Sequence, residues 1–209
     1  MDRPARLAVL LSGSGTTLQN LLDRIADGRL RATVAAVVGS RIEAFGLERA
    51  RNAGIPALPI PRKQHSNSER FNDALHDALA PHAVDLVVLA GFLSLFQPRA
   101  YAGRVMNIHP ALIPAFCGPG FYGHKVHEAV LAAGVKVSGC TVHFADDQYD
   151  HGPIILQGCV PVLEDDTPDS LAARVQTLES ELYPQAIQLW IEDRLRIDAG
   201  RVRILPPPA

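Results

Sequence analysis

Asn107 and His109 lie two residues apart in the run VMNIH, immediately before Pro110. In an extended strand residues i and i+2 project from the same face. An amide N–H able to hold an oxyanion would then stand beside an imidazole able to move a proton. A single histidine at a strand end is also a common structural residue, so the pair alone leaves both readings open. Asp150 stands just before His151-Gly152-Pro153 and a strongly apolar run. If its carboxylate faced His109 it would favour the imidazolium and raise the histidine's pKa. The neighbouring Asp146 and Asp147 read as a solvated acidic turn, and that description remains open for Asp150 too.

A second candidate is Ser12-Gly13-Ser14-Gly15-Thr16-Thr17, between an apolar run and an amphipathic stretch. At a helix start, backbone N–H groups and the positive end of the helix dipole face outward and stabilise an anion. A dinucleotide fingerprint would want glycine at position 18, which is Leu18, and a triphosphate loop would want a lysine. The loop suits a monophosphate better than either. An ordinary strand-to-helix turn with a threonine cap is the alternative.

Short apolar runs alternate with longer amphipathic ones, and this rhythm must position both candidates. Strands are expected at 7–11, 33–38, 57–60, 85–90 and 105–109, with helices over 18–28, 42–52 and 66–79 between them. That order implies an α/β fold: a doubly wound, mostly parallel sheet with helices on both faces. In such sheets ligands bind beyond the carboxyl ends of the strands. The glycine loop, GFLSLF and NIHPALIP all follow strands directly, so all three are expected on one edge. Beyond them come a helix over 124–133, strands over 135–144 and 154–162, a long helix over 170–190, and two short strands around Ala199-Gly200. The terminal PPPA is expected to fray.

The chain has 209 residues, 47% of them hydrophobic, with a formal net charge of -2. That length fits one domain with a C-terminal extension. No basic stripe marks a nucleic-acid surface. Cys117, Cys140 and Cys159 have no metal-ligand spacing, and an odd number of thiols fits a reducing cytosol. The scattered His65, His82, His124, His127, His143 and His151 form no ligand set, so no metal is expected. The apolar start meets Gly-Ser-Gly too soon for a signal peptide, and no run reaches the ~20 residues that span a bilayer. A cytoplasmic protein, monomeric or homodimeric, acting on small molecules and not on nucleic acid or membrane, is the expectation.

The segments SGSGTTLQNLL, VVLAGFL, MNIHPALIP, SGCTVHFADDQYDHGPIILQ and ARVQTLESELYP, in this order, resemble the phosphoribosylglycinamide formyltransferase family. The N-I-H-P and D-x-G-P-I-I-L-Q pair is specific to the wider 10-formyltetrahydrofolate-dependent superfamily, and the resemblance covers essentially the whole chain. It implies a single formyltransferase domain with a phosphate-binding half, 1–105, and a folate-binding catalytic half, 106–209. It implies formyl transfer from 10-formyltetrahydrofolate, as cosubstrate, to the amine of 5'-phosphoribosylglycinamide in de novo purine biosynthesis.

By the same resemblance Asn107, His109 and Asp150 are the catalytic trio, with protonated His109 helping to hold the oxyanion. Gly15, Thr16, Thr17, Pro110, Gln176 and Glu179 are expected at the phosphorylated acceptor. Leu93, Ser94, Leu95 and Phe96 match the folate-binding stretch, and Ala145, Asp146 and Asp150, with Asn107, are expected around the pteridine. His124 corresponds to a histidine near the active site. Ser94 and Ser68 stand where many members carry a basic residue, with Arg70 a nearby substitute, and the loop Phe116–Gly123 is longer than in the shorter versions. Three other readings compete. A formyltetrahydrofolate deformylase usually carries an extra N-terminal domain. A methionyl-tRNA formyltransferase needs a C-terminal domain. A non-catalytic phosphate-binding module would keep the glycine loop without the trio.

Overall fold

The computed structural model describes residues 3–207, so the last two residues of the PPPA tail lie outside the described part. The chain divides into two compact units, Met1–Met106 and Asn107–Ala209.

In the first unit, strand β1 (Ala5–Leu11) is followed by helix α1 (Thr16–Ala26), β2 (Ala32–Gly39), α2 (Phe45–Asn52), β3 (Ala57–Pro59), α3 (Ser68–Leu79) and β4 (Leu86–Leu89). β1 pairs in parallel with β2 and β4, and β2 in parallel with β3. Residues Leu7 to Leu11 are all fully buried. A central parallel strand is covered on both faces and so reads as a continuous apolar run. α1 turns Leu18 and Leu21 into the core, and Gly28 ends the segment at φ +77°. α2 starts at Phe45, three residues later than the periodicity places it, because Arg41–Ala44 closes a turn and Ala44 stays extended. α3 starts at Ser68 because Asn67 caps it, accepting from the Arg70 N–H at 2.9 Å.

β5 (Val105–His109) carries the boundary between the units. The second unit continues with α4 (His124–Ala132), β6 (Val137–Phe144), β7 (Ile154–Pro161), α5 (Pro168–Ile191) and the hairpin β8 (Leu195–Asp198) and β9 (Arg201–Ile204). β6 and β7 are antiparallel, and their ladder slips by one residue between Val142 and His143. α5 begins two residues earlier than its apolar pattern, since Thr167 and Ser170 form a capping box and Pro168 occupies the first turn. The strand order is β3-β2-β1-β4-β5-β6-β7, a mostly parallel seven-stranded sheet, with β8-β9 separate. Among the described residues no helix is long and apolar enough to cross a membrane.

Candidate active site

In the first unit the ends of β1, β2 and β4 are tied together. Ser12 donates its N–H to Gly91 C=O at 3.1 Å, and its hydroxyl accepts from the Leu93 N–H at 2.9 Å. The same hydroxyl meets Ser40 Oγ at 2.6 Å. The glycine loop and the Leu93–Phe96 segment are thereby fixed against each other by buried polar groups.

Gly15 is the N-cap of α1, at φ +72°, and Thr16 and Thr17 are the first helical residues. The cap is therefore a glycine and not the threonine of the simple-turn alternative. A Cβ at Gly15 would lie 2.6 Å from Gly46 Cα, and a Cβ at Gly46 would strike the Leu11 side chain. Only two glycines permit this close approach of loop to helix. Arg49, absent from the sequence expectations, donates to Ser14 C=O at 2.9 Å and to Gln19 Oε1 at 3.0 Å. A cation thus stands at a helix N-terminus that already favours anions.

Of the expected folate stretch, Leu93 is 41% exposed, while Phe96 is 1% exposed and stacks on His76 at 5.1 Å. Phe96 is a core side chain that anchors its loop; an aromatic after GFL reads the same in sequence whichever way it points. Asn72 completes that anchor, donating to Leu95 C=O and accepting from the Gln97 N–H. A basic group beside Ser68 is Arg62, whose Nη2 lies 3.4 Å from Ser68 Oγ. Arg62 also covers the face of Phe71 at 5.5 Å.

In the second unit the trio assembles. Asn107 and His109 leave β5 on one face, and Asp150 reaches them from the β6–β7 turn. His109 Nδ1 lies 3.4 Å from Asp150 Oδ2, and Asn107 Nδ2 lies 3.3 Å from Asp150 Oδ1. Gly118 N–H donates to Asp150 Oδ2 at 2.9 Å. Asp150 sits at φ +54°, a conformation that asparagine and aspartate tolerate better than most residues. Gly152 is required two positions on, because a Cβ there would strike the Phe144 carbonyl.

Burial works against the charge on Asp150, but the groups around it, the His109 imidazole and the Gly118 N–H among them, outweigh it and hold the carboxyl below its usual range. His109 goes the other way from the sequence expectation. Burial lowers its pKa below the ordinary 6.5, and the opposing pull of Asp150 and the Phe116 carbonyl does not make up the difference. The ring is 4% exposed, and its Nε2 lies 2.8 Å from Phe116 C=O. Both nitrogens thus face acceptors, an arrangement that only the imidazolium satisfies in full. His109 is a buried imidazole whose pKa is drawn down, with a partner in place for each ring proton once it charges.

Other expected residues are distributed around this cluster. Pro110 is half-buried directly after His109. Burial pushes the Glu179 carboxyl up to about 7, while Gln176, one turn earlier on α5, is exposed. Asp146 accepts from the Gln148 N–H and pairs with His151 at 2.7 Å, so it shapes the turn. Ala145 is half-buried at the start of that turn and Asp147 is exposed. His124 is exposed on α4 and faces Asp169 at 3.2 Å. Among the described residues no three His, Cys, Asp or Glu side chains group as a metal site.

Two residues of β6 were missed. His143, set aside among the scattered histidines, is 1% exposed with Nε2 3.0 Å from Asn107 Nδ2. Thr141 donates to Ala111 C=O at 2.7 Å and accepts from the Ile113 N–H and from Gln157 Nε2. It clamps the segment that follows the trio's strand. The available signal was alternation: two polar residues, i and i+2, on one face of an otherwise apolar strand.

Residues 5–187 match the family model described as formyl transferase. The phosphoribosylglycinamide formyltransferase of Haemophilus influenzae is 38% identical over 195 residues, covering 92% of this chain and 90% of that protein. The chloroplastic phosphoribosylglycinamide formyltransferase of Vigna unguiculata is 40% identical over 92% of this chain, which spans 63% of that relative's length. The crystal structure of glycinamide ribonucleotide transformylase 1 from Symbiobacterium toebii superposes with a TM-score of 0.91 at 46% identity, covering 97% of this chain and 94% of that one. With the Asn–His–Asp cluster in place and a match over most of its length, the chain belongs to the formyl transferase family.

Proposed function

We propose that this chain transfers the formyl group of 10-formyltetrahydrofolate to the amine of 5'-phosphoribosylglycinamide, in the cytoplasm, as a step of purine biosynthesis. The observation that carries the reading is the buried contact of His109 with Asp150 at 3.4 Å, beside the Asn107 amide, in a chain 38% identical to the Haemophilus influenzae phosphoribosylglycinamide formyltransferase. In this proposal Gly15, Thr16 and Thr17 hold the acceptor's phosphate with Arg49 close by. Glu179 and Gln176 contact the acceptor, and Leu93 to Leu95 contact the folate. Phe96 supports that stretch from within.

An amine of the α-amino kind has a pKa of about 7.7–8.0, so an appreciable fraction is neutral at pH 7. Its lone pair forms a bond to the formyl carbon, and the carbonyl π pair moves onto oxygen. Asn107 donates an N–H to that oxygen. Neutral His109 takes the proton released by the nitrogen, and Asp150 stabilises the imidazolium. The proton then passes to N10 as the carbon–N10 bond breaks and the carbonyl re-forms. This differs from the oxyanion role expected for a pre-charged His109, because burial lowers the imidazole's pKa and favours the neutral ring as the starting form. General acid–base assistance contributes about 10²–10⁴-fold, and one oxyanion donor about 10²–10³-fold.

The test is incubation of the purified protein with 10-formyltetrahydrofolate, with and without phosphoribosylglycinamide. Loss of the formyl group only when the acceptor is present supports the proposal. Equal loss without acceptor makes the protein a deformylase, and no loss in either arm makes it a binding module.

A further inference from the structure

His143 makes two contacts whose combination fixes more than either alone. Nδ1 lies 2.8 Å from the carbonyl oxygen of Phe144. A carbonyl only accepts, so Nδ1 carries the ring proton, and in the neutral ring Nε2 is left with a lone pair. That lone pair faces the Asn107 side chain at 3.0 Å. Asn107 must therefore turn its NH₂ group towards His143, and the second N–H of the same nitrogen goes to the side where Asp150 Oδ1 waits at 3.3 Å. Rotating the amide by half a turn would set its oxygen against a lone pair on one side and a carboxylate on the other. The distance from His143 Nε2 to Asp150 Oδ1, 3.8 Å, is beyond hydrogen-bond reach, so Asn107 is the partner of that nitrogen.

The fold aims His143 at this task. The ring is 1% exposed, and it sits where the β6–β7 ladder slips by a residue. Irregularities of this kind re-aim side chains and are frequent beside active sites. Asp150 alone cannot hold the amide through turnover, because its carboxylate also supports the charge that develops on His109.

We propose that His143 is a positioning residue for formyl transfer: its Nε2 lone pair holds the Asn107 amide with nitrogen inward, so that the N–H facing Asp150 in the free protein, and not the carbonyl oxygen, is the group that turns to the developing oxyanion. The inference rests on the formyl-transfer reading only for its kinetic consequence. The hydrogen-bond geometry stands independently of what the protein catalyses.

Two measurements test it. In the wild-type protein at pH 7.5, long-range ¹H–¹⁵N correlation of the imidazole rings should show His143 protonated at Nδ1 and bare at Nε2. A proton on Nε2 overturns the proposal whether or not the protein is active, and this measurement decides even where a variant fails to fold. In kinetics, His143→Ala should lower kcat about ten- to a hundredfold, part of the loss of one oxyanion donor. KM for both substrates should stay within about threefold, since uniform binding is untouched. In an Asn107→Ala background the same substitution should have almost no further effect, because residues acting through one another are non-additive. His143→Gln, whose side-chain oxygen can accept from the amide, should recover most of the lost kcat. An equal loss in both backgrounds, or a rise in KM without a fall in kcat, would give His143 a merely structural role.

Discussion

The loop after β1 and the cluster at the end of β5 belong to different units and are built by opposite means. The loop is made of backbone. Gly15 is its cap, its closest support is Gly46, and the side chain nearest to it is Arg49, held by Ser14 and Gln19. The cluster is made of side chains. His109 and His143 are almost fully buried, and each ring nitrogen of each faces a named partner. A phosphate carries its charge at every pH of interest, so a fixed array of N–H groups suffices to hold it. A proton in transit needs groups whose affinity for it lies near neutrality, and only side chains with tuned surroundings provide that.

The contrast is sharpest under substitution. His109→Ala or Asp150→Asn should each lower kcat by at least about a hundredfold with little change in KM, while circular dichroism shows the fold intact. Near-wild-type turnover of purified His109→Ala would end the assignment of the trio. For the loop, Gly15→Ala should raise KM for the phosphorylated acceptor by about tenfold or more, because φ +72° and the approach to Gly46 both oppose a Cβ. Thr17→Ala, which leaves the backbone alone, should cost about threefold or less. A larger loss from Thr17→Ala than from Gly15→Ala would mean that the loop, too, works through side chains.

The pH dependence separates the regions again. Since His109 must be neutral to accept a proton and burial holds its pKa below 6.5, kcat should fall as pH drops through a value under 6.5. The kcat profile reports every titrating group of the enzyme–substrate complex, the bound amine included, so the His109 inflection is the one that His109→Asn removes. An inflection clearly above 6.5 that disappears in His109→Asn would reverse the direction argued for this group.

The smallest effect is on stability. Folding raises the Glu179 carboxyl from 4.5 to about 7, so the folded state binds the extra proton between those values. Stability from this group is complete below pH 4.5 and is lost as pH rises through 7. Glu179→Gln should therefore melt a few degrees above wild type at pH 8, at about 2–4 °C per kcal/mol, and level with it near pH 4.5. Its KM for the acceptor should rise in the same variant, because the proposed contact is lost. Equal melting temperatures at pH 8 would show that the carboxyl is well solvated.

Much of the framework was legible from residue pattern. Periodicity located every strand and helix to within a few residues, and VMNIH was placed to the residue as β5. The errors sit where capping overrides periodicity: Asn67 and Thr167 move two helix starts, and the turn before Ala44 delays α2. Asn107, His109 and Asp150 were singled out by the family resemblance, since their residue types and spacing alone left a structural reading open for each. Orientation and environment were not legible. Phe96 and Leu93 belong to one short motif, yet one is in the core and the other on the surface, which depends on His76 packing from α3.

What the sequence determines by itself is the α/β order and the glycine turn, since these follow from local periodicity and from φ angles open mainly to glycine; the trio it offers as candidates that the family resemblance singles out. Tertiary structure decides the rest. It decides that the His109 pKa is drawn below its ordinary value, because desolvation depends on everything packed around the ring and outweighs the single carboxylate that sequence pairs with it. It decides that Arg62 stands beside Ser68, and that His143 and not another histidine meets Asn107. Those contacts depend on side-chain direction, on packing between elements or on a local irregularity, and spacing along a sequence carries no record of them.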